Sequence, residues 1–98
     1  MSTVELIQNG HEYSIVASGH TESKMCAAVS CLLYTVAGYI TNTDEIILQE
    51  IRLDSGDAKL VWAGGKKAGF LFDLMEIGFR QLQEGEPENI FVKISKSA

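Results

Sequence analysis

The chain has 98 residues, 46% of them hydrophobic, so it can form one domain whose buried core needs neither disulfides nor metals. Eight lysines and arginines stand against 13 aspartates and glutamates. The resulting net charge of −5 disfavours duplex nucleic acid and anionic membranes as partners, because both bind through positive charge. We expect a single domain over residues 1–98 that uses no cofactor.

The chain opens with a predicted β-hairpin. Residues 3–8 and 11–18 alternate between polar and apolar side chains, as strands with one buried face do. Asn9-Gly10 lies between them, and this dipeptide is the strongest short-range hairpin signal. Gly19 interrupts the pattern and ends the second strand.

A long apolar helix is predicted next, over residues 25–40, with Thr21 or Ser23 as its N-cap. Apolar side chains lie nearly all round this helix, which predicts that it is buried in the core. The stretch is shorter than the ~20 residues that a membrane span needs. The first residues lack the basic and apolar regions of a signal peptide. We therefore expect a cytoplasmic protein that does not bind membranes.

The second half of the chain predicts two strands, a helix and a final strand. The strands cover residues 45–53 and 58–63 and are joined by a polar turn at residues 54–57. The helix covers residues 68–84, and the last strand covers residues 89–95. The order ββαββαβ predicts an α+β fold, in which two helices cover a mixed or antiparallel sheet.

Residues 64–69 form a glycine- and lysine-rich segment that resembles a phosphate-binding loop. No Ser or Thr follows its lysines, so it does not match the P-loop pattern, and we interpret it as a flexible loop with solvated lysines. The aromatic residues around it are assigned to the core: Trp62, Phe70, Phe72 and Phe79. The inner face of the second helix is predicted to carry Leu71, Leu74, Met75, Gly78 and Leu82.

The candidate catalytic side chains lie where the first hairpin meets the first helix. Cys26 lies at the predicted helix start, where unpaired N–H groups and the helix dipole favour a thiolate. His20 lies just upstream and can act as the general base. The backbone N–H groups of Cys26 and Ala27 are candidate oxyanion-hole donors. Cys31 lies deeper in the apolar helix, and we predict that it is buried and inert.

Two further observations restrict the choice of site residues. The second strand spans ~30 Å, so His11 lies at the wrong end to reach Cys26 and is interpreted as a solvated turn residue. The protein has only two cysteines and two histidines, and their spacing fits no zinc pattern. We therefore predict no metal site, and we expect both cysteines to be free thiols.

The residues around His20 and Cys26 resemble a motif of a known family. The motifs are Gly19-His20-Thr21 and Cys26-Ala27-Ala28-Val29-Ser30. They resemble the active-site segment of the ribosomal-processing cysteine proteases known as Prp. The resemblance implies an endopeptidase that removes an N-terminal extension from a ribosomal or phage structural protein. By matching position it implies His20 as the catalytic histidine and Cys26 as the nucleophile, with Gly19 and Ser30 as flanking motif residues.

The chain departs from the family pattern in the loop between His20 and Cys26. This loop has five residues, about half the usual length, and Ser23 stands where the family usually has an acidic residue. We therefore expect a substrate other than the ribosomal one, such as a phage or mobile-element structural protein. Two alternatives stay open: a non-catalytic Prp-like module that binds a protein partner, and an RNA- or ribosome-associated binding protein, which the net charge disfavours. The resemblance and the free sheet edges also predict a homodimer.

Overall fold

The computed structural model describes residues 1–54 and 56–97. Seven elements follow one another along the chain: β1 (Ser2–Asn9), β2 (Glu12–Ser18), α1 (Ser23–Thr41), β3 (Ile46–Asp54), β4 (Asp57–Gly64), α2 (Lys66–Gly85) and β5 (Ile90–Ser97). The predicted α+β order ββαββαβ is confirmed, and each element ends within about two residues of its predicted limit. The turn predicted over residues 54–57 includes Ser55, which lies outside the described residues.

All five strands form one mixed sheet with the order β3-β4-β2-β1-β5. The β1–β5 pair is parallel, and the other three pairs are antiparallel. The register places Leu6 beside Ile15 and Ile15 beside Leu60, and all three side chains are fully buried. Because side chains alternate between the two faces of a strand, this register collects the apolar residues on the face that α1 and α2 cover.

The strand register also brings two distant segments together at one end of the sheet. Ser18, the last residue of β2, pairs with Asp57, the first residue of β4. The Gly19 N–H then donates to the carbonyl oxygen of Gly56 at 3.0 Å. As a result, the segment after β2 lies against the β3–β4 turn, and the start of α1 follows immediately in sequence.

The centre of the core is aromatic. Trp62, Phe72 and Phe79 are fully buried, as predicted. Tyr13 joins them, with its ring centroid 6.0 Å from that of Trp62 and 5.3 Å from that of Phe72. The prediction that Phe70 belongs to this core is wrong, because its side chain is 65% exposed.

Helix α2 is amphipathic with a narrower inner face than predicted. Its buried residues recur at helical spacing: Ala68, Leu71, Phe72, Met75 and Phe79. Leu74 was expected on this face but is 45% exposed. Leu82 is partly buried against the core, as expected.

Helix α1 is not buried all round, so that prediction is wrong. Its inner face packs on the sheet through Met25, Val29, Leu33, Val36, Ala37 and Ile40. The opposite face is exposed, carries Lys24 as the single charged residue of α1, and includes Cys31, Tyr34 and Tyr39. Within the described residues, α1 is also the one helix whose length and hydropathy would suffice to cross a membrane, but the core helix of a folded domain meets the same criteria.

The predicted loop at residues 64–69 is mostly regular structure. Gly64 ends β4 and Lys66 begins α2, so Gly65 alone separates the two elements. The indole N–H of Trp62 donates to the Ala68 carbonyl oxygen at 3.1 Å, and the Gly64 N–H donates to the His11 carbonyl oxygen at 3.1 Å. These bonds fix the first turn of α2 to the sheet. Lys67 is not simply solvated, because it forms an ion pair with Glu45.

Candidate active site

A pocket of about 70 Å³ opens at the end of the sheet where β2, the β3–β4 turn and α1 meet. Its walls include the sequence-predicted residues Gly19, His20, Cys26 and Ser30. The other lining residues are Ser2, Ala17, Ser18, Val29, Leu33, Asp54, Gly56, Asp57 and Ala58. The fold therefore brings these four predicted residues to one opening.

Cys26 occupies the fourth residue of α1 and is half-buried. The N-cap is Glu22, not Thr21 or Ser23, and its carboxylate accepts the N–H groups of Met25 at 2.5 Å and Lys24 at 3.1 Å. A carboxylate at this point satisfies donors that otherwise have no partner in the first turn. The helix start therefore offers the thiol less uncompensated positive charge than the sequence suggested.

The backbone and thiol of Cys26 both have partners in the preceding loop. The Cys26 N–H donates to the Glu22 carbonyl oxygen at 3.1 Å, and the thiol donates to the Thr21 carbonyl oxygen at 3.6 Å. The expectation that this N–H is a free oxyanion donor is therefore not met in this structure, because the first intrahelical bond already uses it. Ala27 follows it in the same helical turn, with an exposed side chain.

The loop that holds Cys26 is itself tied to the rest of the fold. The Thr21 hydroxyl donates to the Asn89 side-chain oxygen at 3.0 Å, which connects the loop to the residue before β5. Sequence reasoning missed Asn89, because nothing in its neighbourhood points to a residue 68 positions earlier. This hydrogen bond fixes the carbonyl group that receives the Cys26 thiol.

Two glycines, Gly19 and Gly56, determine the position of His20. Gly19 has φ +90°, and a Cβ there would lie 2.5 Å from the Met1 carbonyl oxygen. Met1 N in turn donates to the His20 carbonyl oxygen at 3.1 Å. On the other side, the imidazole of His20 lies so close to Gly56 that a Cβ on that glycine would collide with two ring atoms, Nε2 and Cε1. Gly56, which the sequence analysis placed only in a turn, is therefore part of the site.

The two principal side chains share the pocket without a direct hydrogen bond in the described part of the chain. Ser30 is exposed and lies one helical turn after Cys26, on the same face. His11 lies beyond the opposite end of β2 and lines a different pocket, as the strand-length argument predicted. The prediction about Cys31 is wrong: its side chain is exposed, because it falls on the side of α1 that faces away from the sheet.

Acidic residues of the β3–β4 hairpin also reach this site. Asp54 and Asp57 line the pocket with His20. Asp57 accepts a hydrogen bond from Arg52 at 2.9 Å, and this bond, together with the charge of the carboxylate, raises the pKa of Arg52. Sequence reasoning missed these residues because their position depends on the pairing of β2 with β4. No group of three or more potential metal ligands is present among residues 1–54 and 56–97.

Comparison with known proteins gives the family and the fold of this chain. The family model described as "Cysteine protease Prp" matches residues 1–91. The ribosomal processing protease Prp from S. aureus, in complex with a covalently linked product peptide, has a similar structure, with a TM-score of 0.82 at 20% identity over 96% of this chain and 99% of that chain. SMU.848 from Streptococcus mutans gives a TM-score of 0.76 at 21% identity over 99% of both chains.

A second structure of S. aureus Prp, in complex with a substrate peptide, gives a TM-score of 0.75 at 20% identity, covering 96% of this chain and 99% of that chain. The comparison with curated proteins gave no match. The structural likeness establishes the shared fold, and the family model covers most of the sequence. The chain belongs to the cysteine protease Prp family.

Proposed function

We propose that this protein is a cysteine endopeptidase in which Cys26 is the nucleophile and His20 is the general base. The observation that carries the proposal is that a strand end and a helix start bring these two side chains to the same pocket. Membership in a cysteine protease family supports the reaction class. Proximity within one opening is the arrangement that nucleophilic catalysis needs, provided that the thiol can reach the imidazole.

The first half of the reaction starts from the resting thiol, which donates to the Thr21 carbonyl oxygen. Rotation of the Cys26 side chain would release this bond and pass the thiol proton to the imidazole of His20. The thiolate sulfur then attacks the substrate carbonyl carbon, a C–S bond forms, and the carbonyl electron pair moves to the oxygen. Catalytic contacts often tighten in this way only when substrate is bound.

The second half releases the two products. The oxyanion reforms the carbonyl group, the C–N bond breaks, and the protonated His20 gives its proton to the leaving amine. Water then hydrolyses the thioester, which restores the Cys26 thiol and frees the new carboxylic acid. The oxyanion needs N–H donors, so the Cys26 N–H would have to be shared with Glu22 or released from it.

The substrate we propose is a protein or peptide, namely the N-terminal region of a ribosomal or phage structural protein. The solved S. aureus relatives hold a substrate peptide and a product peptide, which supports this class. Asp54 and Asp57 at the pocket and the net charge of −5 favour substrates with basic residues near the cleaved bond. Of these two classes of protein, the five-residue loop between His20 and Cys26 favours a phage structural protein over the ribosomal one.

A non-catalytic, peptide-binding role is the second candidate. One observation favours it: the thiol and N–H of Cys26 are both occupied by the Thr21–Glu22 segment. In that case the pocket would hold a peptide without cleaving it. Under either candidate we propose a cytoplasmic location and a homodimer.

The proposed function is tested by incubating the purified protein with precursor proteins encoded near it in its genome. Intact-mass spectrometry should show loss of an N-terminal segment with wild type and with Cys31→Ala, but not with Cys26→Ala. Cys31→Ala is the matched control, because it removes a sulfur from the same helix outside the pocket. Binding of the precursor with no cleavage by any of the three proteins would favour the non-catalytic role.

A further inference from the structure

A second pocket lies at the end of β2 that is remote from Cys26. It is shallow, has a volume of about 490 Å³, and lies beside the start of α2. Its lining residues are His11, Tyr13, Gly65, Lys66, Gly69, Phe70 and Asp73. None of them lines the candidate active site, and the proposed peptidase reaction does not use them.

The start of α2 presents free hydrogen-bond donors to this pocket. Its N-cap is Gly65, which has no side chain to accept the N–H groups of the first turn. The first intrahelical bond is that from the Gly69 N–H to the Gly65 carbonyl oxygen, at 3.1 Å. The N–H groups of residues 66–68 have no partner in the described part of the chain. Such N–H groups, together with the helix dipole, favour a bound anion.

Tyr13 provides an independent observation that points to a ligand. Only 5% of the surface of Tyr13 is exposed, and its ring packs against Trp62 and Phe72. The Tyr13 hydroxyl has no hydrogen-bond partner among the described residues. Every fully buried side-chain oxygen in those residues does have a partner, so the Tyr13 hydroxyl oxygen must reach the protein surface. The hydroxyl therefore emerges at the pocket, beside Gly69, where a Cβ would lie only 3.0 Å from it.

The remaining walls determine the shape and charge of the ligand. Lys66 adds a positive charge at the helix start and forms no ion pair with a described residue. Phe70 offers an apolar surface that is 65% exposed, although it lies on a helix with a well-packed inner face. Asp73 lies about two turns further along α2, roughly 10 Å from Lys66 by helix rise, so its repulsion of an anion at the helix start is weaker than the attraction of Lys66.

We propose that this pocket binds a small molecule or chain end that carries an oxyanion, a phosphate or a carboxylate, next to a flat apolar group. The oxyanion would accept hydrogen bonds from the N–H groups at the start of α2 and from the Tyr13 hydroxyl. The apolar group would lie against Phe70. The bonds from Trp62 to Ala68 and from Gly64 to His11 hold these walls in place before the ligand arrives.

The site is tested by titrating ¹⁵N-labelled protein with phenyl phosphate, benzoate and inorganic phosphate, and following the backbone amide signals. We expect saturable shifts of the residue 66–69 amides with a probe that joins an anion to a ring, and weaker binding of inorganic phosphate. Tighter binding of phenyl phosphate than of benzoate would assign the site to phosphate, and the reverse order would assign it to carboxylate. Shifts that never saturate, or that spread evenly over all lysines, would overturn the proposal.

Three variants separate this site from non-specific attraction. Tyr13→Phe keeps the buried ring and removes only the hydroxyl, so it should weaken binding about tenfold. Phe70→Ala should remove the advantage of the ring-bearing probes, whereas Ile77→Ala, which truncates another exposed apolar residue of α2, should not. Asp73→Asn should strengthen binding. Unchanged affinity in Tyr13→Phe, or weaker binding in Asp73→Asn, would overturn the proposal whether or not the protein cleaves peptides.

Discussion

The imidazole of His20 lies directly against the backbone of Gly56, and any side chain at that glycine would collide with the ring. Gly56 also has φ +74°, a backbone conformation that favours glycine. The β3–β4 turn is therefore a support for the candidate general base. This contact links a residue of the sequence motif to one that no local motif includes.

The first prediction follows from this contact. Gly56→Ala should destabilise the fold by about 1–2 kcal/mol through its backbone conformation and should also displace His20, so that peptide cleavage falls strongly. Gly10→Ala is the matched control, because Gly10 has φ +64° and no atom lies within 4 Å of the Cβ position. Chemical denaturation and cleavage rates of both variants test this. Equal cleavage by the two variants would show that Gly56 does not position His20.

The second prediction concerns the N-cap of α1. Glu22→Ala should lower the free energy of unfolding by about 1 kcal/mol, because two N–H groups of the first turn lose their acceptor. Glu84→Ala, at an exposed position near the end of α2, should leave the unfolding midpoint nearly unchanged. Urea titrations of both proteins measure the difference. A neutral Glu22→Ala would mean that the carboxylate does not act as the cap in solution.

The third prediction concerns the two thiols. Iodoacetamide should label Cys31 in the folded Cys26→Ala protein at a rate close to that of an unfolded thiol, because the Cys31 side chain is exposed. Labelling of Cys26 in the Cys31→Ala protein should slow when a substrate peptide fills the pocket, whereas labelling of Cys31 should not. Peptide-independent labelling at both positions would contradict the location of the binding pocket.

Sequence reasoning predicted the elements of this fold well, because their signals are local. Asn9-Gly10 and the alternating strands around it define the hairpin, and the second helix ends at Gly85, two residues before Pro87. The exposure of Cys31 and Phe70 was not predictable, since apolar composition alone does not say which side of a helix meets the sheet. Site residues that are brought together only by tertiary pairing could not be predicted either.

The site residues that are adjacent in sequence were identified, and those that depend on tertiary pairing were not. Gly19, His20 and Cys26 lie within one short segment and carry a recognisable motif. Asn89 and the β3–β4 turn reach the site only through strand pairing and the fold of β5. Glu22 is the cap instead of Thr21 or Ser23, because α1 already begins at Ser23 and the Thr21 hydroxyl is bonded to Asn89.

The fourth prediction concerns assembly. We expect a homodimer at micromolar concentration, because the chain exposes several large apolar side chains and its edge strands β3 and β5 have unpaired backbone groups. Sedimentation velocity should give the mass of two chains. A strict monomer of 10.7 kDa across the micromolar range would contradict this expectation.

The proposed reaction has Cys26 attack the substrate carbonyl with His20 as its base. His20→Ala should slow acylation by about 10²–10⁴-fold, the usual contribution of general acid–base catalysis. Cys26→Ser should be nearly inactive, because a hydroxyl is a weaker nucleophile in the same position.

The most direct measurement is acid-quenched mass spectrometry of the enzyme mixed with a peptide ester of a cleaved sequence. We expect a covalent peptide adduct that fragmentation maps to Cys26, that accumulates quickly in wild type and Cys31→Ala, and that is absent in Cys26→Ala. Turnover of the ester without any adduct on Cys26, at the same rate in wild type and Cys26→Ala, would contradict it.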